Sequence, residues 1–394
     1  MTFAKQPDPA PGSSHHLHDG LHVEVCAADA SAIERYRSDS LHAGFMPAQS
    51  PDWISAWARH MREAPIIARL ADAHGHLMSL VLETARQGPF VTARFVGDRH
   101  ANGNFPLLDR RVRDGLSPQH LDMLREGIRR VRPDIDLLAL ERQLRCLGDQ
   151  TNPLLAWPHG DSPNVSLAVD LDGGFDAVLA RASGKRKRKQ HRSQARKLEA
   201  AGGYRRIRAA TPEEAASMLD AFFEMKAHRF ARMGIHDVFA PHHVRSAFHA
   251  LFGEATAEPD PKFVLHGLEV AGKLRAITGS SRAGSRIICE FSSISDDELT
   301  EASPGRFLFY QNIEEACAEG LELYDFSVGD EYYKRLWCDV ETIQFDTFVP
   351  MTLKGKSLAG ATSGFARLKR LINGSPRLWS LVKTARRSTS WLRR

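Results

Sequence analysis

A short turn, Ser303-Pro304-Gly305-Arg306, has residue types that can bind a phosphate. Proline has a φ angle preset for the first turn of a helix, and glycine lets a ligand approach the backbone closely. The first N–H groups of a helix lack intrahelical partners and lie at the positive end of its dipole, so they attract anions. The turn therefore predicts an anion site at a helix amino end, unless it is a plain Pro-Gly turn.

The elements around this turn would place it at the edge of a sheet. Apolar residues recur at helical spacing after it, and residues 321–326 predict a short buried strand. Before it, residues 263–270, 274–281 and 286–292 predict three strands, the first two joined by a tight turn at Ala271-Gly272. A strand, turn, helix and strand in this order are typical of a cofactor-binding crossover.

A second block follows the helix: Asp325-Phe326-x-x-Gly329-Asp330-x-x-Tyr333-Lys334-x-x-Trp337. This block, at this distance from a Ser-Pro-Gly helix, resembles the CelD-type (BioF-like) acetyltransferases of the GNAT superfamily, which are related to the FemAB peptidyltransferases. The resemblance covers residues 45–349 and rests on several blocks in one order. It implies a mixed α+β fold of tandem GNAT-like domains, each a mostly antiparallel sheet flanked by helices.

The length of 394 residues also favours two domains. We predict a disordered leader over residues 1–20, which are rich in Pro, Gly, Ser and His. A first GNAT-like domain is expected over residues 21–160 and the acyltransferase domain over residues 161–350. A basic amphipathic tail is expected over residues 351–394.

The resemblance implies acyl transfer from acetyl-CoA or another acyl-CoA, a co-substrate that is not permanently bound. Its pyrophosphate would lie on Ser303, Pro304, Gly305 and Arg306. In GNAT enzymes the strand before this helix often carries the base, which would be Glu290 here; between Cys289 and Phe291, its pKa can be raised. Glu290 is otherwise an outward-facing strand residue. Tyr310 is the candidate acid, and Asp325 either acts at the site or holds the loop.

The acceptor side of the resemblance includes three groups of residues. A polar loop after a strand carries His100, Asn102 and Asn104, which would bind a sugar or peptide unless they only form an Asn-Gly turn. A predicted helix that begins at Thr211-Pro212 contains Lys226-Ala227-His228-Arg229, in which His228 and Arg229 match the acceptor-side helix. Tyr333 and Lys334 complete the set. The expected acceptor is a glycan or glycan precursor of the cell envelope or an exopolysaccharide.

Positive charge is concentrated in two places. Residues 184–199 predict one basic helix without interleaved aromatics, either a wall for an anionic substrate or a solvated face.

The second place is the tail, where eleven Lys and Arg follow Thr347 without any Asp or Glu. Subtracting these eleven charges from the net charge of +5 leaves −6 for the rest of the chain. That balance weighs against nucleic acid as a general partner. In the tail, apolar residues beside these charges predict a helix on an anionic membrane, a flexible basic end or a small-nucleotide site: Phe365, Leu368, Ile372, Leu378, Trp379 and Val382.

The remaining features of the sequence limit the classes of function that the chain can have. The five cysteines are scattered and in no metal spacing. The histidines His15, His16, His18 and His22 could bind a metal, but no second ligand group is at hand. We therefore predict no metal and a reduced, cytoplasmic protein. We also expect no signal peptide and no membrane span, though the tail would allow a peripheral place at the inner membrane face.

Two alternatives stay open. The GNAT pyrophosphate motif Gln/Arg-x-x-Gly-x-Gly/Ala is replaced here by Ala302-Ser303-Pro304-Gly305, which leaves the donor uncertain. A FemAB-like peptidyltransferase using aminoacyl-tRNA is the near alternative. A non-catalytic protein that binds an anionic membrane or a nucleotide is the alternative of another class.

Overall fold

The computed structural model describes residues 13–17 and 20–373. The chain divides into two compact units, and each takes three stretches of chain. Unit 1 takes Met1–Asp98, Asn104–Asp161 and Phe345–Phe365, and unit 2 takes Arg99–Gly103, Ser162–Gln344 and Ala366–Arg394. The principal division falls at Asp161, and residues 345–350 return to unit 1.

The strands of unit 1 pair in a mixed arrangement, with three helices and the first part of a fourth. Its main strands run in the order β1-β2-β4-β5-β6-β8-β17, all antiparallel except the β6/β8 pair. The elements are β1 (Ser13–Leu17), β2 (Leu21–Ala27), α1 (Ala30–Ser40), β3 (Ala43–Gly44), α2 (Pro51–Ala58), β4 (Ile66–Asp72), β5 (Gly75–Gln87), β6 (Phe90–Phe95), β7 (Leu107–Asp109), α3 (Pro118–Val131), β8 (Leu137–Gln143), β9 (Cys146–Leu147), β10 (Gln150–Thr151) and the end of β17 (Val340–Pro350).

Strand β1 corrects part of the predicted leader. Residues 13–17 pair antiparallel with β2, because backbone hydrogen bonding to an available sheet edge gives these polar residues an ordered place. The other leader residues, 1–12 and 18–19, lie outside the described part of the chain. The tail prediction is likewise covered only in part: α10 (Leu353–Asn373) is a helix, while Leu378, Trp379 and Val382 lie outside the described residues.

The strands of unit 2 also pair in a mixed arrangement, with helices on both faces. Its strand order is β11-β16-β15-β14-β13-β12, all antiparallel except the β15/β16 pair. The elements are β11 (His159–Asp170), α4 (Gly174–Arg181), α5 (Gly184–Ala200), β12 (Tyr204–Arg208), α6 (Pro212–Met233), α7 (His242–Ala255), β13 (Phe263–Val270), β14 (Lys273–Ala283), β15 (Arg286–Ile294), α8 (Pro304–Ala318), β16 (Leu323–Val328) and α9 (Tyr332–Arg335). This confirms the predicted mixed α+β class.

Adjacent residues of β13 show which helices cover which face. His266 contacts Glu315 of α8 at 3.2 Å, whereas a Cβ on Gly267 would lie 3.2 Å from Met218 of α6. Successive strand residues point to opposite faces, so α6 and α8 lie on opposite sides of the sheet. The site described below depends on both layers.

Local signals explain where the site-bearing elements begin. The Thr211 side chain accepts a hydrogen bond from the Glu214 N–H at 3.2 Å, and Pro212 occupies the first turn of α6 as predicted. Strands β13 and β14 meet at Ala271-Gly272, with φ of 51° and 72°. Positive φ at both central residues is what a two-residue hairpin loop requires.

Candidate active site

Glu290 lies at an irregularity in the sheet of unit 2. Gly279 pairs with Phe291, but the next residue of β14, Ser280, pairs with Cys289. Glu290 is therefore the extra residue of a β-bulge in β15. Bulges redirect a side chain out of the regular alternation and recur beside active sites.

Two donors hold the Glu290 carboxyl in place. The Ser281 hydroxyl donates to Oε1 at 2.5 Å, and the Asn102 side-chain amide donates to Oε2 at 2.8 Å. The same amide also donates to the Glu290 carbonyl at 2.8 Å. Burial raises the pKa of Glu290 from its usual 4.5 to about 7, although both hydrogen bonds lower it. A carboxyl with this pKa can accept a proton at neutral pH.

Two predicted acceptor residues, His100 and Asn102, belong to unit 2 with Glu290. Gln344 donates to the Asn102 carbonyl at 3.0 Å, which fixes the loop. The His100 ring packs on Phe239 and Phe248, with centroids 4.9 and 5.5 Å away. The loop therefore contacts both the Glu290 carboxyl and the rings of Phe239 and Phe248.

The amino end of α8 is shaped as predicted. Ser303 has φ 57° and ψ 57°, and its side chain makes no capping bond to the helix. Gly305 packs closely on β15, since an added Cβ would lie 2.6 Å from Ile294 Cγ2. Pro304 is buried, Ser303 and Gly305 are half-buried and Arg306 is exposed, so this end is only partly open. An anion site at this helix amino end stays a prediction.

The basic helix α5 packs against α8 along one stripe. Gln194 donates to the Ser303 carbonyl at 3.5 Å, and Arg306 donates to Gln190 at 3.3 Å. His191 stacks on Phe307 and Tyr310, with ring centroids 4.4 and 3.9 Å away. Lys187 of α5 is buried and donates to the Leu336 carbonyl. Seven other basic residues of α5 are exposed: Lys185, Arg186, Arg188, Lys189, Arg192, Arg196 and Lys197. Positive charge therefore lies beside the α8 amino end, as the interpretation of a basic wall requires.

Strands β15 and β16 diverge next to this helix. Their parallel ladder joins only Arg286–Ile288 to Leu323–Asp325. Beyond it, Ser327 has φ 59° and its hydroxyl donates to the Cys289 carbonyl. An unpaired strand edge can hydrogen-bond an extended chain that carries amides, as pantetheine does.

Asp325 holds the backbone instead of facing a substrate. It accepts the Ser327 N–H at 2.7 Å and the Ser166 hydroxyl at 3.1 Å, and Arg286 lies 3.4 Å away. Burial raises the pKa of Asp325, and the positive charge of Arg286 opposes this increase. Of the two roles predicted for Asp325, these contacts favour holding the loop.

Two tyrosines are candidate acids. Tyr310 is stacked on His191 and packs on Phe175 and Trp337, on the side of α8 that meets α4 and α5. The Tyr333 hydroxyl instead hydrogen-bonds Ser292, two residues beyond Glu290 on β15. Burial raises the pKa of Tyr333, so it keeps its proton at neutral pH. This geometry favours Tyr333 over Tyr310.

Three predicted acceptor residues lie elsewhere. Asn104, in unit 1, is buried; it accepts from Gln49 at 2.7 Å and donates to the Glu141 carbonyl at 2.8 Å. Lys334 donates to the Val328 carbonyl at 2.9 Å and pairs with a neighbouring glutamate. Their polar groups are engaged in holding loops, so we remove both from the site. His228 is exposed and lies two residues from Lys226, on another side of α6.

Sequence reasoning did not single out two residues near Glu290. Ser281 is one of several serines in β14, and only strand register brings it to the carboxyl. Lys226 was noted merely as part of a motif, yet its ammonium lies among aromatic rings of α6 and the following loop. Phenylalanines four residues before and after it were the available signal.

Two searches of the described residues had negative results. Within residues 13–17 and 20–373, no group of three or more His, Cys, Asp and Glu could hold a metal ion. Nor does any helix in these ranges combine the length and apolarity needed to cross a bilayer.

Comparison with known proteins agrees with this architecture. Residues 185–335 match the family described as Acetyltransferase (GNAT) domain. The crystal structure of FemX is 12% identical and covers 86% of this chain and 99% of its own, with a TM-score of 0.56. A conserved protein of unknown function from Bacteroides thetaiotaomicron VPI-5482 is 11% identical and covers 83% of this chain and 99% of its own, with a TM-score of 0.51.

A tandem GNAT protein from the clavulanic acid biosynthesis pathway is 14% identical over 84% of this chain and 99% of its own, with a TM-score of 0.47. A search of curated proteins found no match.

Proposed function

We propose that this chain is a GNAT-type acyltransferase that moves an acetyl group from acetyl-CoA to an amine or hydroxyl of a glycan or glycan precursor. One observation carries the catalytic part of this proposal. A bulge presents Glu290 with a pKa of about 7, held by Asn102 and Ser281. A base near neutrality is what removal of a proton from the acceptor needs.

The donor would bind along unit 2. Its pyrophosphate would lie at the positive end of the α8 dipole beside Gly305, with the basic face of α5 next to it. Its pantetheine amides would lie along β15 where β16 diverges, beyond the Cys289 carbonyl to which Ser327 donates. Gly305 allows the helix end to lie close to Ile294, which brings the two parts of this donor site together.

The reaction then needs two proton transfers. Glu290 takes a proton from the acceptor, whose nitrogen or oxygen attacks the thioester carbonyl. The carbon–sulfur bond breaks, and Tyr333 protonates the leaving thiolate. Holding both reactants in this geometry supplies much of the rate, and no covalent enzyme intermediate is required.

Calorimetric titration distinguishes this proposal from its alternatives. Purified protein would be titrated with acetyl-CoA and, separately, with aminoacyl-tRNA. Heat with acetyl-CoA alone supports acetyl transfer, and heat with tRNA alone supports the peptidyltransferase. No heat with either supports the non-catalytic class and overturns the proposal.

A substitution tests the base. Glu290→Gln keeps the side-chain volume and removes the proton acceptor, so kcat should fall about 100-fold or more while acetyl-CoA affinity stays. Glu322→Gln, at an exposed position in the turn before β16, is the matched control. Full turnover by Glu290→Gln would remove this residue from the mechanism.

The tail suggests where the enzyme works. On α10, Phe365, Leu368 and Leu371 are exposed at 69%, 54% and 65%, next to Arg367 and Arg370. A helix with apolar and cationic side chains in this arrangement suits the surface of an anionic membrane. We place the enzyme at the inner membrane face on this ground, with small-nucleotide binding as the alternative.

A further inference from the structure

Two cations on α6 share one face of the helix. Lys226 and Arg229 are three residues apart, a spacing that brings side chains together. Among the residues that the structure describes, neither has a carboxylate within ion-pairing distance. Arg229 is exposed and was a predicted acceptor residue, whereas Lys226 is half-buried.

Aromatic rings surround the Lys226 ammonium. Its Nζ lies 5.7 Å from the ring centre of Phe222, 5.5 Å from Phe230 and 5.9 Å from Phe239. Burial and, less strongly, the Arg229 charge lower the pKa of Lys226 to about 8, while the charges of Glu331 and Asp237 oppose this decrease. Ring faces attract a cation but do not neutralise it. A desolvated charge with no carboxylate in contact is costly, and a ligand anion would offset that cost.

Contacts connect this pair to Glu290. The Phe222 ring packs on Phe291, the residue after Glu290, with centroids 4.3 Å apart. Phe239 packs on His100, two residues before Asn102. The cations therefore flank the residues of β15 at which transfer is proposed.

We propose that Lys226 and Arg229 bind an oxyanion group of the acceptor, a phosphate or a carboxylate, and hold it beside Glu290. The acceptor is then an anionic molecule, and its amine or hydroxyl lies within reach of the base while its charged group lies on α6. Lys226 supplies a point charge in a partly dry setting, and Arg229 supplies a planar fork that suits an oxyanion. This inference rests on the proposed function for the identity of Glu290 as base.

Ion binding tests the inference without knowledge of the acceptor. Saturating coenzyme A is added first to occupy any anion site at α8, and inorganic phosphate or acetate is then titrated in. Melting temperature and the NMR titration of ¹³C-dimethylated lysines are recorded, and Lys226→Arg assigns the Lys226 signal.

We expect either ion to raise the melting temperature and to raise the Lys226 titration midpoint by about one pH unit. Binding should weaken at least tenfold in Lys226→Met and in Arg229→Met. The matched control Lys262→Met removes an exposed lysine that pairs with Asp260, and it should bind as the wild type does.

The outcomes are distinct. A response to phosphate alone assigns a phosphorylated acceptor, and a response to acetate alone assigns a carboxylated one. If neither ion moves the Lys226 midpoint or the melting temperature, the inference is overturned. If coenzyme A fails to bind while the ions still respond at Lys226, the anion site stands and the proposed donor fails.

Discussion

Asn102 donates its side-chain amide to both the carboxylate and the carbonyl of Glu290, at 2.8 Å in each case. The residues are 188 positions apart in sequence, and both belong to unit 2. One amide thus fixes the position of the bulge and the orientation of the carboxyl. Because the amide bonds better to the charged carboxylate, it also keeps the pKa lower than burial alone would.

The first prediction concerns pH. Ser281→Ala and Asn102→Ala each remove a donor that favours ionised Glu290, so its pKa should rise above about 7. The acidic limb of the kcat–pH profile should move upward by about one unit, with activity lost at pH 7 and recovered at higher pH.

Ser285→Ala is the matched control for Ser281→Ala. Ser285 lies in the turn after β14, and its hydroxyl donates to Glu322, not to Glu290. Its profile should coincide with that of the wild type. Identical acidic limbs in all four proteins would show that these donors do not tune the base.

The second prediction concerns stability. The folded pKa of Glu290 is raised to about 7 from 4.5, so the folded state binds an extra proton between these values. Stability linked to this group is present below pH 4.5 and is lost as pH rises through 7. Glu290→Gln removes that loss and should raise the free energy of unfolding at pH 8 by at most about 3 kcal/mol.

Urea unfolding at pH 8 and near pH 5 checks this prediction. The difference in the free energy of unfolding between Glu290→Gln and the wild type should be smaller at the lower pH. A variant that is equally destabilised at both pH values would mean that the carboxyl is needed for packing and not for its charge.

The third prediction concerns the donor helix. Gly305→Ala places a methyl group 2.6 Å from Ile294 Cγ2, so the amino end of α8 must move away from β15. We expect the acetyl-CoA dissociation constant to rise about tenfold, which is the loss of roughly one charge-assisted hydrogen bond. Calorimetric titration measures it directly.

Gly360→Ala, on α10, has open space around the added methyl group and serves as the control. It should leave affinity unchanged and stabilise the helix slightly. Equal affinity in the Gly305→Ala protein would argue against donor binding at this turn.

The fourth prediction concerns the tail. Deletion of residues 357–394 removes the exposed apolar side chains of α10 and most of the tail's positive charge. The full-length protein should sediment with anionic vesicles, and the truncated protein should not. Both forms should keep the same turnover in solution. Neither form should sediment with neutral vesicles. Unchanged partitioning on anionic vesicles would exclude the membrane role.

Much of unit 2 could be predicted from local signals. Thr211-Pro212 marked the start of α6, Ala271-Gly272 marked a hairpin, and the turn at Ser303 marked the start of α8. Each depends on chemistry within a few residues, such as a capping hydroxyl or a preset φ angle. The aromatic neighbours of Lys226 could have been noticed in the same way.

What the sequence determined by itself was the order of elements and the mixed α+β class, because capping and periodicity are local properties of the chain. Only the tertiary structure decided which polar residues meet. Strand register brought Ser281 to Glu290, and a loop distant in sequence brought Asn102, while similar residues such as Asn104 and Lys334 were engaged in holding backbone. Register and long-range hydrogen bonds depend on how whole strands pair and on which buried groups need partners, and no short stretch of residues contains that information.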